Sequence, residues 1–251
     1  MQRFRKIILP VAISLLTINT NAWPWISPYA YCFNNPAMFI DPNGEEPTPK
    51  EAAYIADHIY GQTDELIGGW QLYYMNSLSN GLQYGIYQRE MENGDLEYVL
   101  AFAGTNDFND ILQDISQLLG TGAIPQYGNA VSAGRQFASL YEGYEKTIVG
   151  HSLGGGLATA ASLATGVPAI TFNPAAMTEL TENQLGIQNI ISTKVTNYIV
   201  AGEPLSVLQN IHGMRLPGIT NYIIVHNSSS NPFSNSYNSH KISTIKYHLP
   251  Q

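Results

Sequence analysis

The sequence predicts one α/β domain with a mostly parallel central sheet covered by helices on both faces. Strand-like and helix-like stretches alternate through the second half of the chain, a pattern that favours parallel strands joined by crossover helices. A Gly-x-Ser-x-Gly segment stands where a β-branched run passes into a small-residue helix. A length of 251 residues suits one such domain with a short leader better than two full domains.

The chain opens on Arg3, Arg5 and Lys6, followed by an apolar run from Ile7 to Ile18 and a small-residue stop at Asn21-Ala22 before Trp23. Residues 1–22 thus have the layout of a signal peptide, with an apolar run too short to span a bilayer comfortably. The expected destination is the periplasm or the outside of the cell. A buried start segment is the alternative. Residues 23–46 read as a connector, because Tyr29 to Gly44 mixes aromatic residues with Asn-Asn-Pro and Asp-Pro-Asn-Gly turn signals. Residues 47–251 are left for the α/β domain.

Its first helix begins at Thr48, which can cap, with Pro49 at the first helical position and Glu51 completing a capping box. Ala53, Ile55 and Ile59 continue it toward Gly61. Leu82 to Arg89 and Leu96 to Ala103 read as strands joined through Asn93-Gly94, a hairpin expected to enter the main sheet. Phe108, Ile111, Leu112, Ile115, Leu118 and Leu119 then share one helical face among Asp107, Asp110 and Asp114. That face suits either a lid over a pocket or a surface helix packed on the sheet. A helix over Tyr127 to Glu142 precedes the β-branched run Thr147-Ile148-Val149, and a second helix covers Leu157 to Ala164. Ala169 to Phe172 and Val195 to Val200 are two further buried strands. Asn227 to Ser239, rich in Asn and Ser, reads as a long mobile loop.

Eleven Lys and Arg stand against 19 Asp and Glu, a formal charge of -8, which disfavours a phosphate-tracking surface and so a nucleic-acid partner. Cys32 is the single cysteine, so no intrachain disulfide forms, and no Cys/His cluster has zinc-ligand spacing. Neither a metal nor an organic cofactor is expected.

The chemistry concentrates at Gly150-His151-Ser152-Leu153-Gly154. A serine hydroxyl is a weak nucleophile at neutral pH, so it needs an adjacent base and donors aimed at the oxyanion. A strand-to-helix turn with glycines exposes the Oγ of Ser152 near a helix N-terminus and aims the backbone N–H of Leu153 at the developing charge. Upstream, Ala101 to Asn106 is a strand ending in Gly104-Thr105, placed where an oxyanion loop would donate through Thr105; Thr105 or Asn106 capping a following helix is the competing reading. The triad acid should lie between serine and histidine at a strand end. Of Glu179, Glu182 and Glu203, only Glu203 follows a strand, in the loop Ala201 to Leu205. Chain order leaves His212, His226, His240 and His248 for the base, while His151 reads as structural.

Phe102-Ala103-Gly104-Thr105 and Gly150 to Gly154 together resemble class 3 lipases, the fungal-lipase-like branch of the α/β hydrolases. The resemblance implies an α/β-hydrolase-type domain over most of Thr48 to Leu249. In that family the acid position is usually Asp-Pro-Leu, so Glu203-Pro204-Leu205 departs from it by one methylene. Ser239-His240-Lys241-Ile242 resembles the family's His-Ser-Ile segment, which singles out His240, with His248 next. Tyr29 to Gly44 resembles the motif that closes the repeat core of Rhs and YD-repeat proteins, and the whole layout resembles lipase-like domains behind such cores. No repeats precede it here, so the chain reads as an orphan tip. The expected activity is hydrolysis of lipid esters through an acyl-serine intermediate formed by Ser152, His240 and Glu203, with Thr105 and Leu153 at the oxyanion. The Rhs resemblance implies an antibacterial toxin, transient contact with a membrane surface and an immunity protein as partner. A non-catalytic remnant that keeps the fold for binding is the alternative function.

Overall fold

Helix α1 (Pro49–Gly61) starts where its capping residues predict. Thr48 Oγ1 accepts the Glu51 N–H at 3.2 Å, and Glu51 Oε2 accepts the Thr48 N–H at 2.8 Å, the reciprocal pair of a capping box. The computed structural model describes residues 47–61, 65–105, 125–188, 190, 192–214, 216–225 and 238–249. The leader, the Rhs-like connector with Cys32, the apolar face Phe108 to Leu119, His226 and residues 227–237 of the Asn/Ser-rich loop lie outside the described residues.

Among the described residues, strands β1 (Gln71–Ser77), β2 (Gln83–Glu90), β3 (Leu96–Phe102), β4 (Glu145–His151), β5 (Ala169–Phe172), β6 (Val195–Val200) and β7 (Ile219–Ile223) form one sheet in chain order. β1 to β3 pair antiparallel and β3 to β7 pair parallel. The β2–β3 hairpin closes at Asn93-Gly94, with Gly94 at φ 84, so the hairpin joins the sheet as expected. All five parallel strands end at one edge, where Phe102, His151, Phe172, Val200 and Ile223 hand the chain to loops.

Helices α2 (Pro125–Leu140) and α3 (Leu153–Thr165) cover one face and pack with Tyr98, Leu100, Phe102 and Ile148 in the main apolar cluster. Successive strand side chains point to opposite faces, so the equally buried Val99 and Ala101 turn to the other side. There Gly85, the cross-strand partner of Ala101, lets Ile59 of α1 approach, since a Cβ at Gly85 would lie 2.9 Å from Ile59 Cδ1. Two short helices, α4 (Glu179–Leu185) and α5 (Pro204–Ile211), follow β5 and β6, and the final helix α6 (Ile242–His248) docks on α1. Lys246 of α6 is buried and forms an ion pair with Asp57 of α1, with the Tyr54 ring 4.9 Å away.

Several boundaries differ from the sequence reading. Helix α3 begins at Leu153 rather than Leu157, because three glycines tolerate a first helical turn wherever packing rewards close approach. Helix α2 runs over Pro125–Leu140 instead of Tyr127 to Glu142. Glu203 does not lie within a loop reaching Leu205. It caps α5, which starts at Pro204. Asn238 and Ser239 join His240 in a helical turn instead of extending the loop.

Candidate active site

Ser152 stands between the last residue of β4 and the first of α3 at φ 57, ψ -127, a region that non-glycine residues rarely visit and that costs about 1–3 kcal/mol. Its surroundings hold it there. The Ser152 N–H donates to the Phe172 carbonyl at 3.0 Å, and the Ser152 carbonyl accepts from the N–H groups of Gly155, Gly156 and Ala175 at 3.0, 3.2 and 2.9 Å. The turn is tight enough to require glycine on both sides. A Cβ at Gly150 would lie 2.1 Å from the Gly154 carbonyl oxygen, and one at Gly154 would lie 2.3 Å from the Phe102 carbonyl oxygen. The second contact presses the end of β3 against the turn.

His240 Nε2 lies 2.9 Å from Ser152 Oγ, and His240 Nδ1 lies 2.8 Å from Glu203 Oε2. Ser152 and Glu203 are fully buried and His240 is 4% exposed, so this line of hydrogen bonds is screened little by water. Each of the four donors around Glu203 suits a carboxylate. Besides His240 Nδ1, Oε2 accepts the Leu205 N–H at 3.0 Å, and Oε1 accepts both the N–H and the hydroxyl of Ser206. Because Nδ1–H donates to the carboxylate, Nε2 is left as an acceptor facing the serine hydroxyl. Such a line can remove the hydroxyl proton as the oxygen attacks an electrophile.

Leu153 adjoins Ser152, and Thr105 follows a glycine packed against its turn. Leu153 is the first residue of α3, so its N–H has no partner within the helix and sits at the positive helix end. Thr105 follows Gly104, whose Cβ would lie 2.8 Å from the His151 carbonyl oxygen and 3.1 Å from the Gly154 nitrogen. The loop leaving β3 thus runs directly beside the serine turn.

Residues 51–230 match the Tle-like phospholipase domain, most of the chain. The chain belongs to this family. A stretch of 120 residues is 43% identical to an extracellular phospholipase A1 of Serratia liquefaciens, covering 48% of this chain and 35% of that protein. The match therefore spans about a third of the relative's length. The native Rhizomucor miehei lipase propeptide complex superposes with a TM-score of 0.51 at 14% identity, over 70% of this chain and 67% of its own. That likeness is one of fold, and this Tle-like domain is a lipase-like α/β hydrolase.

Among the described residues, the other candidates form no hydrogen bond with Ser152. His212 ends α5 in an exposed position, and His248 is exposed on α6 with Nδ1 2.7 Å from the Thr244 carbonyl oxygen. Glu179 is exposed, and Glu182 is buried within α4. Among the described residues no three His, Cys, Asp or Glu gather as a metal site. Two contributors escaped the sequence reading. Ser206 is the third residue of a helix announced by Glu203-Pro204, a capping pattern that was there to be read. Asn173, buried at the end of β5, stands before Pro174 at φ 41 and donates through Nδ2 to the carbonyls of Ser239 and His240 at 3.0 and 3.1 Å. Only its Asn-Pro dipeptide hinted at a special turn.

Proposed function

We propose that this Tle-like domain is a serine hydrolase that cleaves acyl esters of phospholipids, with Ser152 as nucleophile, His240 as general base and Glu203 as the acid that orients it. His240 Nε2 takes the Ser152 proton as Oγ attacks the ester carbonyl, and the N–H groups of Leu153 and Thr105 hold the tetrahedral oxyanion. The imidazolium, stabilised by Glu203, then protonates the leaving lysophospholipid alcohol. Water activated by the same imidazole releases the fatty acid from acyl-Ser152. The observation that carries this reading is the buried line Ser152 Oγ, His240 Nε2, His240 Nδ1, Glu203 Oε2, with spacings of 2.9 and 2.8 Å.

The name of the Serratia relative favours an A1-type phospholipase and an extracellular destination, in keeping with residues 1–22 as a signal peptide. Residues 23–46 would be the connector and 47–251 the hydrolase domain. The Rhs-like segment Tyr29 to Gly44 supports a toxin that meets bacterial membranes transiently and is neutralised by an immunity protein. Expression of the chain in the periplasm of a test bacterium should arrest growth, and Ser152→Ala should not. Equal toxicity of the two would refute the lipolytic toxin.

The direct experiment gives purified protein p-nitrophenyl butyrate, p-nitrophenyl palmitate and phosphatidylcholine vesicles, beside Ser152→Ala and a fluorophosphonate probe. Wild type should release lysophospholipid and fatty acid and take the probe at Ser152, and the variant should lose about 10³-fold or more in kcat. A folded, inert and unlabelled wild type would instead identify a non-catalytic remnant.

A further inference from the structure

His240 reaches Ser152 from a backbone that is itself gripped. Its carbonyl oxygen accepts from His151 Nε2 at 2.7 Å and from Asn173 Nδ2 at 3.1 Å. Asn173 is fixed in turn, since its Oδ1 accepts the Val200 N–H at 2.9 Å and its own N–H donates to the Tyr198 carbonyl at 2.8 Å. The base is thereby tied to the ends of β4, β5 and β6 together.

The carbonyl can only accept, so Nε2 of His151 must carry the ring proton and Nδ1 must be bare. Nδ1 faces the Tyr60 hydroxyl at 2.9 Å, which therefore donates to it, with the His151 carbonyl oxygen 3.2 Å from the same hydroxyl. Burial, and next the neighbouring His240, push the His151 imidazole down to about 3, which keeps it neutral and its tautomer fixed near neutral pH. Burial also raises the Tyr60 hydroxyl well above the ordinary tyrosine range, so it keeps its proton to donate. The same oxygen accepts the backbone N–H of Gly104, the residue before Thr105. A side chain at Gly104 would close this junction, as its Cβ would fall 2.5 Å from the Tyr60 hydroxyl.

We propose that Tyr60 and His151 are positioning residues that couple the oxyanion strand to the general base through one directed chain, from Gly104 N–H to Tyr60 to His151 to the His240 carbonyl. The inference rests on the triad roles proposed above. Neither side chain touches substrate. Their effect is to fix the distance between Thr105 and the His240 imidazole, two groups delivered by segments more than a hundred residues apart in sequence. A base displaced by about 1 Å costs on the order of 100-fold in rate, so a chain of short hydrogen bonds behind it acts on kcat. Simple filling of the core would act on stability alone.

The test uses the full chain and the soluble ester p-nitrophenyl butyrate. Tyr60→Phe deletes the hydroxyl and keeps the ring. His151→Met deletes the donor to His240, whereas His151→Gln restores an N–H near the Nε2 position. Tyr60→Phe should lower kcat about tenfold or more with KM within about twofold, and His151→Met about 100-fold, with partial rescue in His151→Gln at similar melting temperature. Nitrogen-15 NMR of wild type gives a readout without any variant: one histidine should stay neutral in the Nε2–H form from about pH 8 to about pH 5. Wild-type kcat in both Tyr60→Phe and His151→Met overturns the proposal, and so does a His151 that titrates in that range or carries its proton on Nδ1. Should the variants fail to fold, the NMR result decides. An inert wild type that no fluorophosphonate labels would instead sink the hydrolase reading, and this one with it.

Discussion

Acid should unfold this protein partly through His151. The ring is buried between the Tyr60 hydroxyl on Nδ1 and the His240 carbonyl on Nε2, with the His240 ring centroid 5.1 Å away. Protonation would bury a charge away from water and set it beside His240, which is why the native imidazole holds out to about 3. An unfolded histidine takes up its proton near 6.5. Between those two values the unfolded chain binds one more proton than the native one, so stability falls as pH drops through 6.5 and goes on falling to about 3. At about 1.4 kcal/mol per pH unit the full window amounts to a ceiling of about 5 kcal/mol, of which about 2 kcal/mol is lost by pH 5. Urea midpoints measured from about pH 8 to about pH 4 for wild type and His151→Gln isolate the contribution, because other acid-titrating groups are common to both. The wild-type curve should fall more steeply below about pH 6.5. Parallel curves would refute the reasoning.

Ser206→Ala removes the hydroxyl that donates to Glu203 Oε1 and leaves two backbone donors. A loss of about 1–1.5 kcal/mol at that carboxylate predicts about a tenfold lower kcat on p-nitrophenyl butyrate, and unchanged kinetics would show that the backbone cap suffices. Gly154→Ala places a Cβ 2.3 Å from the Phe102 carbonyl oxygen and 2.8 Å from the Ala103 carbonyl carbon, backbone that has no room to yield. Its cost should be about 1–3 kcal/mol or more, read as a lowered melting temperature, and a wild-type value would mean the end of β3 lies farther off. Lys246→Met removes the ion pair with Asp57 and loosens α6 from α1. A cost of about 3 kcal/mol, with faster proteolysis near α6, is expected, and an unchanged digest would mean apolar contacts alone hold that helix.

The inner parallel strands were legible because they are short β-branched runs between helical patterns. β5 and β6 coincide with Ala169 to Phe172 and Val195 to Val200. The two edge strands were not. In β1, Gln71–Ser77, most side chains are exposed, including Tyr73, Tyr74 and Met75, so no inside-outside alternation marks it, and a bulge between Leu72 and Tyr74 breaks the period further. β7 has one buried residue in five, Ile223. Around Ser152 the local chemistry was readable and the long-range pairing was not. The glycine pattern declares a tight turn, and Glu203-Pro204 follows a strand, but four histidines satisfy chain order equally. Only the resembled segment Ser239 to Ile242 set His240 before His248; in the structure Ser239 and His240 also present carbonyls to Asn173. That contact joins residues 66 and 67 positions apart.

The same geometry fits Glu203 for the proposed role of triad acid, where the resembled lipases usually carry aspartate. Glu203 is the N-cap of α5, and its two oxygens divide the work: Oε1 meets the Ser206 amide and hydroxyl, and Oε2 bridges the Leu205 amide and His240 Nδ1. Capping anchors the carboxylate at the positive end of the helix, so the additional methylene does not leave it free to wander. Its length is absorbed by the distance between the cap and the imidazole, which the His151 and Asn173 contacts hold constant from the other side. Shortening the side chain with Glu203→Asp should then satisfy the helix amides or His240, but not both at their present spacing. A drop in kcat of about tenfold or more with a near-constant melting temperature would mean the helix keeps the carboxylate. A constant kcat with a lowered melting temperature would mean the imidazole does.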